Sequence, residues 1–98
     1  MKHILVIGRH EQIMQTVLKL INQQEGYHAV GCLLDEQAIA ILQSQNIDLV
    51  LIGGGVEIES EQAIRKYVEL NKPTCKVIQH FGGGSGLLFN ELKQALGS

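Results

Sequence analysis

The residues best able to do chemistry in this chain gather around glycine. His80-Phe81-Gly82-Gly83-Gly84-Ser85-Gly86 sets four glycines and a hydroxyl directly before an apolar helical pattern. Glycines permit positive φ and let backbone N–H groups converge into an anion nest, and a helix N-terminus behind them adds its dipole. That is a phosphate-binding layout. It matches neither common fingerprint: no Lys-Ser/Thr follows as in a P-loop, and Leu87 stands where the third glycine of Gly-x-Gly-x-x-Gly would fall. A plain turn with Ser85 or Gly84 as helix N-cap is the competing reading.

A second glycine run, Gly53-Gly54-Gly55, closes the apolar stretch Leu49-Val50-Leu51-Ile52. Arg9 and His10 follow the apolar run Ile4-Leu5-Val6-Ile7 and Gly8. If these runs are neighbouring parallel strands, Arg9, Gly53, Gly54 and His80 share one end of the sheet. Arg9 would then be the charge partner of a small anion, His80 and Ser85 its hydrogen-bond donors, and the amides of Gly82 to Gly86 its cradle. The plainer readings are a solvated loop for Arg9-His10 and a histidine bonded to a neighbouring carbonyl for His80.

Other chemistries fare worse. Ser85 near His80 has no Asp or Glu in the loop to orient the histidine, and no Gly-x-Ser-x-Gly elbow is present. His3 and His28 begin adjacent strands, but two imidazoles without a carboxylate or thiolate make a poor zinc site. Glu57, Glu59 and Glu61 suit the positive end of a helix rather than a pair of catalytic acids. Cys32 and Cys75 are far apart and read as small buried hydrophobes in a reducing cytosol. No cofactor or metal is expected, and the residues lean against an enzyme without deciding the matter.

The positioning elements follow from periodicity. His3 to Gly8 reads as a first strand, and Glu11 to Gln24 as a helix with the apolar stripe Ile13, Met14, Val17, Leu18, Leu20 and Ile21. Gly26 is the C-cap candidate, Tyr27 to Leu33 a second strand, and Asp35 the N-cap candidate of a second helix. The central strand is Asp48-Leu49-Val50-Leu51-Ile52. A third helix follows with Ala63, Ile64, Tyr67, Val68 and Leu70 apolar, stopped by Pro73. Thr74 to His80 is the fourth strand and Leu87 to Leu96 the last helix. Four strands alternating with four helices predict an α/β fold with helices on both faces of a parallel sheet. The flavodoxin-like order 2-1-3-4 is preferred over 3-2-1-4, because Gly31 and His28 mark strand two as an edge.

Composition sets limits. With 98 residues, one domain over 1–98 is expected, able to bury roughly 65% of its unfolded surface. A net charge of −2 gives no footprint for nucleic acid or an anionic membrane. No apolar run approaches the ~18 residues of a membrane span. A cytoplasmic location is expected.

The strand segments Ile4-Leu5-Val6-Ile7, Asp48-Leu49-Val50-Leu51-Ile52 and Pro73-Thr74-Cys75-Lys76-Val77-Ile78 resemble those of response-regulator receiver domains, over roughly residues 3 to 82. The resemblance implies a flavodoxin-like fold and, in a working receiver, an acidic pair after strand one, a phospho-accepting aspartate after strand three, a hydroxyl residue ending strand four and a lysine on a fifth strand. This chain has Gly8-Arg9, Gly53 and His80-Phe81 at the first three, and ends before a fifth strand. Without carboxylates there is no Mg²⁺ site, so aspartyl phosphorylation is not expected. The expected role is a non-catalytic binding or self-association module with a homodimer or protein partner. The alternative is a sensor or carrier of an anionic small molecule at Gly82 to Gly86.

Overall fold

The computed structural model describes residues 1–80 and 85–96, with residues 85–87 as backbone alone. The uninterrupted apolar runs become the strands β1 (Lys2–Ile7), β2 (Tyr27–Cys32), β3 (Leu49–Gly53) and β4 (Lys76–His80). The stretches of helical period become α1 (Glu11–Asn22), α2 (Asp35–Ser44), α3 (Ile58–Asn71) and α4 (Ser85–Leu96). All strand pairs are parallel and the order is β2-β1-β3-β4. The order 3-2-1-4 is thereby discarded.

Side chains alternate across a pleated strand, and the core divides accordingly. Leu5, Ile7, Val50 and Ile52 face Ala38 and Leu42 of α2 and Ile64 and Val68 of α3. Ile4, Val6, Leu49 and Leu51 face Met14 and Ile21 of α1 and Leu88 and Leu92 of α4. The two central strands are covered on both faces, which explains why they read as continuous apolar runs rather than alternating ones.

Several boundaries differ from expectation. Helix α1 stops at Asn22, where Gln23 keeps a right-handed conformation and donates its N–H to the Lys19 carbonyl. Gly26 is therefore not the C-cap. With φ of 90°, the chain's one described positive-φ residue, it turns the chain into β2 and accepts the Lys2 N–H at 2.7 Å. Asp35 is not an N-cap either: Leu34 holds that position without a side-chain bond, and the Asp35 carboxylate is turned to other partners described below. Leu70 is 71% exposed. At ~100° per residue it falls off the stripe set by Ile64 and Val68. Helix α4 begins at Ser85, earlier than the expected Leu87, so Ser85 and Gly86 open a helix rather than close a loop.

Candidate functional site

The carboxyl ends of the strands form the candidate site. Gly53 and His80 are register partners at the ends of β3 and β4, and Gly8 and Arg9 follow β1 beside them. Gly53 packs closely there: a Cβ on it would sit 3.2 Å from the Ile7 carbonyl oxygen, a tight contact with backbone. Gly54 and Gly55 are exposed, with only ordinary contact distances around an added Cβ. Gly82, Gly83 and Gly84 lie outside the described residues. Of Ser85 and Gly86, the backbone at the start of α4 is described.

Arg9 is the most connected side chain. Its Nη2 donates to Asp35 Oδ1 at 2.6 Å, to Glu57 Oε2 at 3.0 Å and to Ser60 Oγ at 3.1 Å. Its Nη1 donates to the Leu33 carbonyl at 2.8 Å. Ser60 in turn donates to Asp35 Oδ2 at 2.5 Å. One guanidinium thus ties the β1–α1 loop to the starts of α2 and α3. The geometry shows in the titration: hydrogen bonds to Glu57, then Asp35, raise the already high pKa of Arg9. The Ser60 hydroxyl and then Arg9 hold Asp35 below the usual carboxylate range, and Arg9 does the same to Glu57. The head of Arg9 is therefore committed to its own chain.

On the α1 side of the same sheet end lies a cavity of about 350 Å³, walled by Val6, Met14, Val17 and Leu51, with His10 and His80 at its edge. His80 is held by a carboxylate after all: its Nδ1 lies 2.7 Å from Glu91 Oε1 on α4. A histidine oriented by an acid is half of a general-base arrangement. Among the described residues no hydroxyl or thiol is hydrogen-bonded to His80.

The structure thus brings Gly53, Arg9 and His80 to one end of the sheet and sends the charged head of Arg9 toward α2 and α3. It adds Asp35 and Glu57, which the sequence places as a cap and a helix start, and Ser60 and Glu91, to which the sequence assigns no role. At the opposite end His3 and His28 are register partners with ring centroids 5.7 Å apart. No group of three metal-ligating side chains occurs among the described residues.

No family model matches the chain, and no curated protein sequence matches it. Solved structures do. A response regulator from Thermotoga maritima superposes with a TM-score of 0.82 at 17% identity, covering 99% of this chain and 98% of that one. A LuxR family DNA-binding response regulator from Silicibacter pomeroyi gives 0.81 at 16% identity, covering 99% and 92%. A complex of histidine kinase ThkA with the response regulator protein TrrA gives 0.72 at 24% identity, covering 98% and 99%. Identities this low speak for architecture alone, and on that architecture the chain has the flavodoxin-like fold of response-regulator receiver domains.

Proposed function

We propose that the chain is a single receiver-like domain that accepts no phosphoryl group and works by binding protein, a second copy of itself included. The Arg9 guanidinium carries this reading. It lies directly after β1, where the resemblance calls for carboxylates that hold Mg²⁺, and it engages the carboxylates of Asp35 and Glu57 that could otherwise take a cation, while donating to the Leu33 carbonyl. A hard cation is disfavoured there. Gly53, ending β3, offers no carboxylate to phosphorylate. The structural neighbour solved with a histidine kinase supports protein recognition as a use of this fold. No described helix is long and apolar enough to cross a membrane, and a cytoplasmic location, suggested by two buried unpaired thiols, belongs to the same proposal.

The test is thermal unfolding with Mg²⁺ and beryllofluoride, an acyl-phosphate mimic, together with intact mass after incubation with acetyl phosphate. The expected result is no stabilisation and no added phosphoryl group. Stabilisation by the mimic overturns the reading.

One observation favours a second reading, a small-molecule sensor: the cavity beside Gly53 and His80. A ligand with an apolar body against Met14 and Leu51 and an anionic end toward His10 fits its chemistry. Stabilisation by aromatic carboxylates or nucleotides, lost in Val17→Phe, supports it; a flat screen removes it.

A further inference from the structure

In a parallel ladder the N–H and C=O of one residue point to the same neighbouring strand, and alternate residues point to alternate sides. The Lys76 N–H donates to the Asp48 carbonyl at 3.1 Å and Lys76 pairs with Leu49. Lys76, Ile78 and His80 therefore direct their backbone groups at β3, and Val77 and Gln79 direct theirs outward. At the other edge, the Gly8 N–H donates to the Cys32 carbonyl and the Lys2 N–H to the Gly26 carbonyl. Tyr27, Ala29, Gly31 and Leu33 consequently face out from β2.

The two edges are treated differently. Along β2, Asn22 of α1 stands in for a missing strand: its Oδ1 accepts the Ala29 N–H at 2.8 Å and its Nδ2 donates to the Ala29 carbonyl at 3.2 Å. The Tyr27 N–H reaches the Gln24 carbonyl, and Arg9 donates to the Leu33 carbonyl. Along β4, Arg65 donates to the Val77 carbonyl at 3.2 Å. The Val77 N–H and both backbone groups of Gln79 have no partner among the described residues. An edge left open in this way is a template for another strand.

We infer that the strand it takes is β4 of a second copy, paired antiparallel about a two-fold axis at Ile78. This rests on the protein-binding reading above and names its partner. The outward residues Val77 and Gln79 flank Ile78 symmetrically. A two-fold axis there sets Val77 opposite Gln79 of the partner subunit and Gln79 opposite Val77 of the partner subunit, both as hydrogen-bonded pairs that exchange N–H and C=O. Every outward backbone group of the strand then has a partner, Arg65 giving up or sharing the Val77 carbonyl. The same register sets Lys76 opposite the partner's His80, which Glu91 already engages at 2.7 Å. An ammonium thus meets a carboxylate from each side. A five-residue strand makes an interface below ~1,200 Å², the size of transient contacts, so pairing depends visibly on concentration.

The experiment is sedimentation velocity over a concentration series, with amide hydrogen exchange measured by NMR at both ends of that series. The expected result is a dimer at high concentration in which the Val77 and Gln79 amides exchange slowly, while in the dilute monomer they exchange fast and Ile78 stays slow throughout. Gln79→Pro deletes only an outward N–H, which an edge strand tolerates, and loses one bond on each side of the axis, weakening association about thirtyfold. If that variant misfolds, exchange in the unaltered chain decides. A dimer with fast Val77 and Gln79 amides overturns the inference and leaves the binding reading standing. A monomer at every concentration also overturns it, and the beryllofluoride experiment judges separately whether the chain accepts a phosphoryl group.

Discussion

Replacing Arg9 by Met keeps the aliphatic stem and removes the charge that ties three loops together. The loss has two parts that can be sized. The Arg9–Asp35 pair is short at 2.6 Å, but the Asp35 side chain is 43% exposed and solvent screens it; ~1 kcal/mol, the top of the range for exposed pairs, is a fair figure. The 2.8 Å bond from Nη1 to the Leu33 carbonyl is partly buried and adds ~1 kcal/mol. Glu57 is more exposed still and is left out of the sum. The expected cost is therefore about 2 kcal/mol, or a fall in Tm of roughly 8–16 °C for a domain of this size. Urea unfolding should show a lower midpoint with an unchanged slope.

The same difference should depend on pH in a stated direction. Asp35 and Glu57 are held below the ordinary carboxylate range. Their contribution is complete above the unfolded-state values near ~4 and is lost as pH falls through the lower folded values. Arg9 stays charged throughout. The gap between Arg9→Met and the unaltered chain should thus narrow in acid toward the share owed to the Leu33 carbonyl. It should also narrow in 1 M salt, where the screening length is ~3 Å. A gap below ~0.5 kcal/mol at pH 7, or one as large in acid as at neutrality, refutes the reasoning.

Three further outcomes follow from the structure. Asn22→Ala strips the Ala29 N–H and carbonyl of their partners and should cost ~1–3 kcal/mol in urea unfolding; a change within a few tenths would deny the edge role of Asn22. Gly31→Ala places a Cβ 2.4 Å from Met14 Sδ and 2.9 Å from Leu18 Cδ1. Both are yielding side-chain ends, and Met14 can shift toward the cavity, so the loss should stay near ~1 kcal/mol; a variant that fails to fold contradicts this. Burial pushes the thiols of Cys32 and Cys75 up to about 11. A chromogenic disulfide reagent at pH 8 should therefore react with both only as the chain opens, and complete labelling within the mixing time would contradict their burial.

The sheet was legible because its signals are local. Ile4 to Ile7 and Leu49 to Ile52 are continuous apolar runs, and short connections leave few ways to join parallel strands. The site was legible in position and much less in wiring. Asp35 carried a strong cap signature, and nothing nearby in the chain shows that Arg9, 26 residues away, takes its carboxylate, or that Glu57 waits 48 residues on. Glu91 carries no local signal toward His80, because it lies 11 residues further on, beyond the glycine loop and on α4. The edge surrogate Asn22 carries no signal in the sequence; only the register of β2 reveals its use. The expectation placed on Gly82, Gly83 and Gly84 falls outside the described residues.

The division of the core has a consequence for synthesis. Chains emerge from the ribosome amino end first, and domains complete as units. The α2 and α3 face can close once β4 is out, but the opposite face needs Leu88 and Leu92 to join Ile4, Val6, Leu49 and Leu51. Until α4 has cleared the exit tunnel, the nascent chain carries an uncovered apolar flank on that side of the sheet. A ribosome stalled before Leu92 should hold a protease-sensitive chain.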